Sequence, residues 1–490
     1  MSTLILQGTG VTVADIEAVA RRNIAVEATP EVSAKLVKAR SVLDQVAATG
    51  QQIYGLNTGL GANLKTSVGD ETFHFQQQLV RGRGVGVGPS LPRDVTRAVM
   101  AARLSMLAVG GSGISPDVFN DLLALLNSKV HPVVPSIGSI GAGDLVLLSA
   151  IAQTMIGEGY AEYEGEVLAS TEALSRAGLE PSTLGPKDGL SLLNASAVSV
   201  GKGALAVVDT TALFEWQRDA AALSFEGLGG NPLILAPAIQ QARPAAGQAQ
   251  EAEKLLKRLD GSSLHEARAA IQDPLSLRCV ASIHGALAQA LAAATEAVEI
   301  ELNAAADNPL VIVGENRVLS TGNFHTPSLA LAFETLGLAV AQTALASAAR
   351  FIQLTGSSRN GLPRYLSPVG GASAGLVPLQ KTVTALMGAI RHRANPVLLD
   401  FMPVSEGVED HATQTLLAVT KCAEMLDLWR HVVACEMLAA AQAIDLRAGH
   451  HCGGDTRQTY DLVRAISETL QEDRSLGDDV SRLVQRLQMR

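Results

Sequence analysis

The stretch TLGLAVAQTALASAA, from Thr335 to Ala349, contains no charged side chain and no proline. Leucine, valine and alanine interleave there with small polar residues, a mixture that favours helix over strand. A second stretch, Cys279 to Thr295, likewise lacks Asp, Glu, Lys and Arg. Each is shorter than the roughly 20 apolar residues a membrane span needs. Both are read as helices buried on all sides, at the centre of a bundle or at a subunit interface. Similar patterns dominate from about Leu190 and break at Asp273-Pro274, Asn308-Pro309, Gly361-Leu362-Pro363 and Asn395-Pro396. The expected fold is therefore mainly α, a bundle of long helices with a smaller loop-rich N-terminal region.

Composition narrows the function. The chain has 490 residues, 47% hydrophobic and 3% aromatic, so its core is filled by Ala, Leu, Val and Ile. Charged residues are 18% and mean hydropathy is +0.21, which leaves a lone monomer short of polar surface and favours oligomer formation. A net charge of −10 offers no basic field for nucleic acid or anionic lipid, so a small molecule is the expected partner. Cys279, Cys422, Cys435 and Cys452 show neither disulfide-framework nor zinc spacing. No metal is expected, and a reducing cytoplasm fits. The segment Met1 to Gly10 does not read as a signal peptide.

Along the chain, residues 1–190 alternate helical stretches with glycine-dense loops at Gly55 to Asn63, Gly82 to Gly88 and Gly138 to Gly143. Residues 191–455 read as the long-helix bundle, and 456–490 as a peripheral amphipathic helix. Asp94 to Val109 has helical periodicity and stops at Gly110-Gly111. Leu310 to Val313 and Val318-Leu319 flank Gly314-Glu315-Asn316, the pattern of a small hairpin.

Several segments carry candidate chemistry. The loop Tyr54-Gly55-Leu56-Asn57-Thr58-Gly59 presents a phenol, though it would serve equally as a structural turn. Gly138-Ser139-Ile140-Gly141-Ala142-Gly143-Asp144 reads as a helix entry. Arg278, after Gln272-Asp273-Pro274, sits in an apolar helix start, and a buried guanidinium needs an anion. Glu409-Asp410-His411 lies between helical patterns, where a solvated turn is the commoner reading. Lys381 follows Gln380 in an otherwise apolar helix and is read evenly as a snorkelling side chain or a desolvated amine.

Taken in order, these segments resemble the histidine and aromatic amino-acid ammonia-lyase family from about Gly8 to Gln442. The resemblance rests on the Tyr54 loop, the Gly138 motif, Leu193-Asn194-Ala195-Ser196, Gln272-Asp273-Pro274, Asn303 with Asp307-Asn308-Pro309, Gly322-Asn323-Phe324-His325 and Glu409-Asp410-His411. It implies a homotetramer of long, roughly parallel helices, of the ammonia-lyase and fumarase-like type, with active sites shared between subunits. It further implies Tyr54 and Glu409 as catalytic groups, and Asn194, Arg278, Gln272, Phe324 and Asn57 as substrate-binding ones; Lys381, a cation where the family usually has none, joins the expected catalytic set, and Arg83 the expected binding set.

The departures from the family are chemical. Members cyclise Ala-Ser-Gly into an electrophilic methylidene-imidazolone, whereas here Ala142 is followed directly by Gly143. No cofactor is therefore expected. Leu275 replaces the tyrosine of the family's Asp-Pro-Tyr, Arg83 stands where histidine lyases carry histidine, and Val408 replaces a glutamine. The resemblance extends to a cofactor-less subgroup that eliminates trimethylamine from the betaine ergothioneine. There Tyr54, once ionised, would take the β-proton, Arg278 and Asn194 would hold the carboxylate, Glu409 would contact the ring, and Lys381 would stabilise a developing thiolate. Two alternatives stay open: an ordinary histidine or aromatic ammonia-lyase whose tripeptide is misrepresented, and an inactive binding or assembly protein.

Overall fold

The computed structural model describes residues 3–68, 72–266, 271–356 and 361–488. It is mainly helical, and the described strands form four small sheets, each of two or three strands. The chain divides into two compact units, each assembled from separated segments. The first comprises Met1–Val208, Ala294–Ala332 and Pro396–Thr420; the second comprises Asp209–Ala293, Phe333–Asn395 and Lys421–Arg490. The units interleave along the chain and do not follow the successive blocks 1–190, 191–455 and 456–490. Four of the division points fall inside the long helices Ala197–Leu228, Val280–Leu302, Pro327–Thr355 and Thr415–Asp445, so no loop marks them.

In the first unit, the helix Arg93–Ala108 is buried at every position from Thr96 onward, and it ends before Gly110, whose φ of +81° only glycine adopts freely. The hairpin expected around residue 315 is present, with Leu310–Ile312 antiparallel to Arg317–Leu319 and Asn316 left-handed in the turn. Its Val311 and Val318 pack with Val42, Leu43 and Val46 of the helix Pro30–Ala48 and with Ile53 and Leu56. That cluster anchors both sides of Tyr54, so apolar burial fixes where the phenol's loop begins.

The second unit centres on a buried polar network. Glu436 accepts hydrogen bonds from Arg350 Nε and Nη2, from Ser347 Oγ, from Ser224 Oγ at 2.7 Å and from Gln217 Nε2 at 3.3 Å. Arg350 Nη1 donates to the Ser276 carbonyl at 3.0 Å, and Trp429 Nε1 donates to Gln217 Oε1 at 2.8 Å. Each buried group named has a partner, which is what low dielectric demands.

On the single chain Leu331, Leu338, Leu345 and Ile352, spaced by seven on Pro327–Thr355, are 39 to 59% exposed. One expectation needs correcting. The C-terminal segment forms two helices rather than one, Gly454–Ile466 and Gly477–Leu487, with Val463, Val480 and Leu483 buried. Between them Asp473 accepts from Ser373 Oγ and from the Ala374 and Gly375 N–H groups. Among the described residues two helical stretches, Asp188–Leu228, which is interrupted at Asn194, and Pro327–Thr355, are long and apolar enough to cross a membrane, and the apolar window of the first is 89% buried inside the protein.

Candidate active site

A cavity of about 910 Å3 in the first unit collects most of the motifs. Tyr54, Arg83, Ala142, Gly143, Asn194, Phe324 and Glu409 all line it. Residues scattered over much of the chain meet there because short, tightly held segments converge.

The Tyr54 loop is shaped by close packing. A Cβ on Gly55, whose φ is +69°, would lie 2.3 Å from Leu190 Cδ2, so only glycine fits. Buried Gln76 fastens the same point, donating to the Gly55 carbonyl at 2.9 Å and accepting from the Leu190 N–H at 3.2 Å. The Tyr54 hydroxyl oxygen accepts the Gly61 N–H at 2.9 Å. Asn57 proves to be a staple of this loop: Oδ1 accepts from the Ile53 N–H and Nδ2 donates to the Gln51 carbonyl. It does not line the cavity, and the bonds of its amide within the loop are structural.

Ala142 pairs with His325 in a single antiparallel bridge, and the Asp144 N–H donates to the Ala195 carbonyl at 2.8 Å. The Asp144 carboxylate is fully buried and accepts from Ser139 Oγ, the Ser199 N–H and Ser199 Oγ. Burial raises its pKa. It does not cap its own helix, Leu145–Met155, as position alone suggested, but meets the first turn of Ala197–Leu228. Asn194 donates to the Asn308 carbonyl at 2.7 Å, and Ser196 Oγ to that of Phe324 at 3.0 Å.

On the remaining wall, Glu409 accepts from Ser405 Oγ at 2.8 Å. Its neighbours in the motif are exposed; His411 Nδ1 faces His325 Nε2 at 2.9 Å. The half-buried Arg83 guanidinium donates to the Leu79 carbonyl at 3.3 Å, and burial lowers its pKa against the opposing fields of Tyr54 and Glu409. It also lines a neighbouring cavity of about 570 Å3 with His74 and Gln78.

Besides Asn57, three expected site residues are not in this cavity. Gln272, Arg278 and Lys381 belong to the second unit. Arg278 is half-buried rather than enclosed, and its Nη1 donates to Gln272 Oε1 at 2.5 Å. Lys381, on the helix Val377–Arg393, is exposed on the single chain. Sequence reasoning missed the Asn308 carbonyl, Ser405 and the bracing residue Gln76. Asn308 was quoted within a motif, but nothing marked its backbone oxygen as the useful atom.

Among the described residues one cluster elsewhere could hold a metal: ligand atoms of Glu226, His450 and Cys452 lie within 4.8 Å of one another. Glu226 already accepts from Ser262 Oγ, His450 Nε2, the Gly453 N–H and Thr456 Oγ1. Hydrogen bonds occupy those lone pairs, and burial raises the Cys452 thiol to about 12.

A helical protein with a phenol, an amide and a carboxylate around one cavity has the equipment of a lyase. The aromatic amino acid lyase family profile matches residues 11–465, and the chain belongs to that family of carbon–nitrogen lyases. It is 38% identical to histidine ammonia-lyase of Treponema denticola over 482 residues, 98% of this chain and 95% of the relative. To that of Stigmatella aurantiaca it is 36% identical, over 98% and 95%. The crystal structure of the ergothioneine-degrading ergothionase from Treponema denticola superposes with a TM-score of 0.95, at 33% identity over 99% of this chain and 98% of the other. Histidine ammonia-lyase from Trypanosoma cruzi gives 0.92, at 29% identity over 99% and 93%.

Proposed function

We propose that this chain eliminates trimethylamine from ergothioneine or a closely similar betaine, without a methylidene-imidazolone. The observation that carries the reading is the direct junction of Ala142 to Gly143 in the wall of a cavity also lined by Tyr54, Asn194 and Glu409. The residues present do not fit the family's electrophile. Its methylene comes from a serine side chain, and Ala142 offers a methyl, Gly143 a hydrogen. The likeness to ergothionase supports the same reading.

The chemistry then rests on the substrate. A trimethylammonium nitrogen carries a permanent charge and leaves as neutral trimethylamine, taking the C–N electron pair with it. The β-proton passes to the Tyr54 oxygen, where the Gly61 N–H stabilises negative charge. The electrons left on the β-carbon form the double bond of the acrylate product, and a thio-imidazole ring eases the transition by accepting density into the ring and sulfur. Asn194 binds the carboxylate, Glu409 the ring, and Arg83 and Phe324 complete the pocket.

Arg278, Gln272 and Lys381 are assigned to the sites of neighbouring subunits in a homotetramer. The apolar stripe from Leu331 to Ile352 supports assembly, because seven-residue spacing on a long helix is what a helix–helix seam requires. Four free cysteines suit the reducing cytoplasm assigned to it.

Incubation with ergothioneine, hercynine, histidine, tyrosine and phenylalanine, following amine release and the near-ultraviolet band of an acrylate, tests the proposal. Trimethylamine from ergothioneine is expected, with resistance to cyanide and borohydride. Ammonia from histidine, together with inactivation by either reagent, would instead mark an ordinary histidine ammonia-lyase. Binding without turnover would mark an inactive relative.

A further inference from the structure

The wall formed by Asn194 and Asn308 is braced by buried charges that line no part of the cavity. The short helix Asp188–Leu193 ends at Asn194. At its start the fully buried Lys187 ammonium donates to the Ser112 carbonyl and, at 3.4 Å, to Ser191 Oγ. Near its end Arg103 Nη2, also buried, donates both to the Ser191 carbonyl and, at 3.0 Å, to Asp307 Oδ1. Asp307 directly precedes Asn308, whose carbonyl takes the Asn194 amide N–H. One guanidinium nitrogen therefore ties Ser191, three residues before Asn194, to Asp307, directly before Asn308, and Asn194 and Asn308 meet in the cavity wall.

As a device for stability the arrangement is poor. Arg103 Nε and Nη1 and Asp307 Oδ2 have no partner among the described residues. A buried ion pair left incomplete in this way holds a fold less well than packed apolar side chains of the same volume. Burial also brings the Lys187 ammonium down to about 8. Local rules broken without a gain in stability are found where placement matters for function.

We propose that Arg103, aided by Lys187, is a positioning residue that fixes the distance and orientation of Asn194 against Asn308 and thereby the seat of the substrate carboxylate. The proposal rests on the carboxylate-binding role given to Asn194 above. Its ligand is a carboxylate-bearing substrate of the same cavity, and Arg103 acts on it only through the wall.

The test removes both charges together in Arg103→Met/Asp307→Leu. The melting midpoint is expected to stay level or rise, while kcat/KM on ergothioneine falls roughly a hundredfold, the effect of misplacing a binding group by about 1 Å. Hydrogen–deuterium exchange should quicken in peptides covering 188–196 and 305–310 and nowhere else. Arg103→Lys, which keeps the charge but loses the fork, should recover part of the rate. Asn194→Ala should lose rate without the change in exchange. Unchanged kcat/KM overturns the proposal, and so does a loss of activity that follows a loss of melting temperature with exchange rising throughout the chain. Where the double variant does not fold, the isosteric Asp307→Asn carries the same readouts. Should the wild type turn over no substrate, the functional reading fails by itself. The exchange pattern then decides the clamp, and an unchanged pattern overturns it.

Discussion

Each unit of the molecule buries an arginine against a carboxylate, and the two pairs are built on opposite terms. Arg350 and Glu436 are surrounded by Ser224, Ser347, Gln217 and the Ser276 carbonyl, so both ions find donors or acceptors for their polar atoms. Arg103 and Asp307 share one hydrogen bond and leave three atoms unpartnered among the described residues. The same residue types thus serve a complete network that specifies a core and an incomplete one that braces a site. Burial alone does not tell them apart. The count of satisfied atoms does.

The largest expected effect lies in the complete network. Arg350→Met leaves Glu436 buried opposite neutral donors only, and breaking such a pair costs about 3–5 kcal/mol. Removing both ions, in Arg350→Met/Glu436→Leu, should not restore stability. Ser224, Ser347 and Gln217 would each lose an acceptor, at about 1–3 kcal/mol for each buried group left unpaired. Urea unfolding measures both variants, and a double variant as stable as the wild type would erase the contrast with Arg103 and Asp307.

Next in size is the question of whether the second unit is scaffold alone. Lys381→Met should lower kcat roughly a hundred- to a thousandfold if the ammonium stabilises charge developing on ring or sulfur. As an exposed residue it should change folding stability by no more than about 0.5 kcal/mol. A normal kcat on all five substrates would remove the thiolate-stabilising role and leave Arg278 and Gln272 as the second unit's contribution to be tested.

The smallest effect concerns His284, fully buried with neither ring nitrogen partnered among the described residues, its ring edge-on to Phe214 at 5.3 Å. Burial first, then the charges of Arg350, Arg218 and Arg258, hold its pKa well below 6.5. The folded state therefore refuses a proton that the unfolded chain accepts. Above about pH 7 the group is neutral in both states and contributes nothing. As pH falls through about 6.5 stability declines, by at most about 1.4 kcal/mol per pH unit. Melts of wild type and His284→Leu between pH 5 and 8 should diverge only on the acid side. Parallel curves would assign the acid sensitivity elsewhere.

Much of this was legible in the chain. The long helices, the stop at Gly110 and the hairpin around Asn316 follow from local rules, since propensity, a left-handed glycine and a short turn act over a few residues. Burial was read less well. The stripe of Leu331, Leu338, Leu345 and Ile352 is indistinguishable in sequence from a core face, because apolar periodicity reports that something covers a surface without saying what. Arg278 and Arg103 show the same limit from the other side. Each is a guanidinium in an apolar helical stretch, and only the first was singled out; the structure buries the second. Asn57 looked like a site residue because it neighbours the phenol, yet its amide is consumed within its own loop, a matter of atomic pairing that no spacing reveals. Tyr54, Asn194, Phe324 and Glu409 were identifiable as a set only through resemblance, for nothing in their separations of tens to hundreds of residues predicts that they meet.

Chains that join along the stripe from Leu331 to Ile352 would pool their side chains, and heredity would then act on assemblies rather than on single polypeptides. If the proposed assembly forms, a chain carrying Tyr54→Phe and another carrying Lys381→Met, each inactive when assembled with itself, would between them rebuild some intact sites when co-expressed. One defective chain would equally spoil sites to which its healthy neighbours contribute.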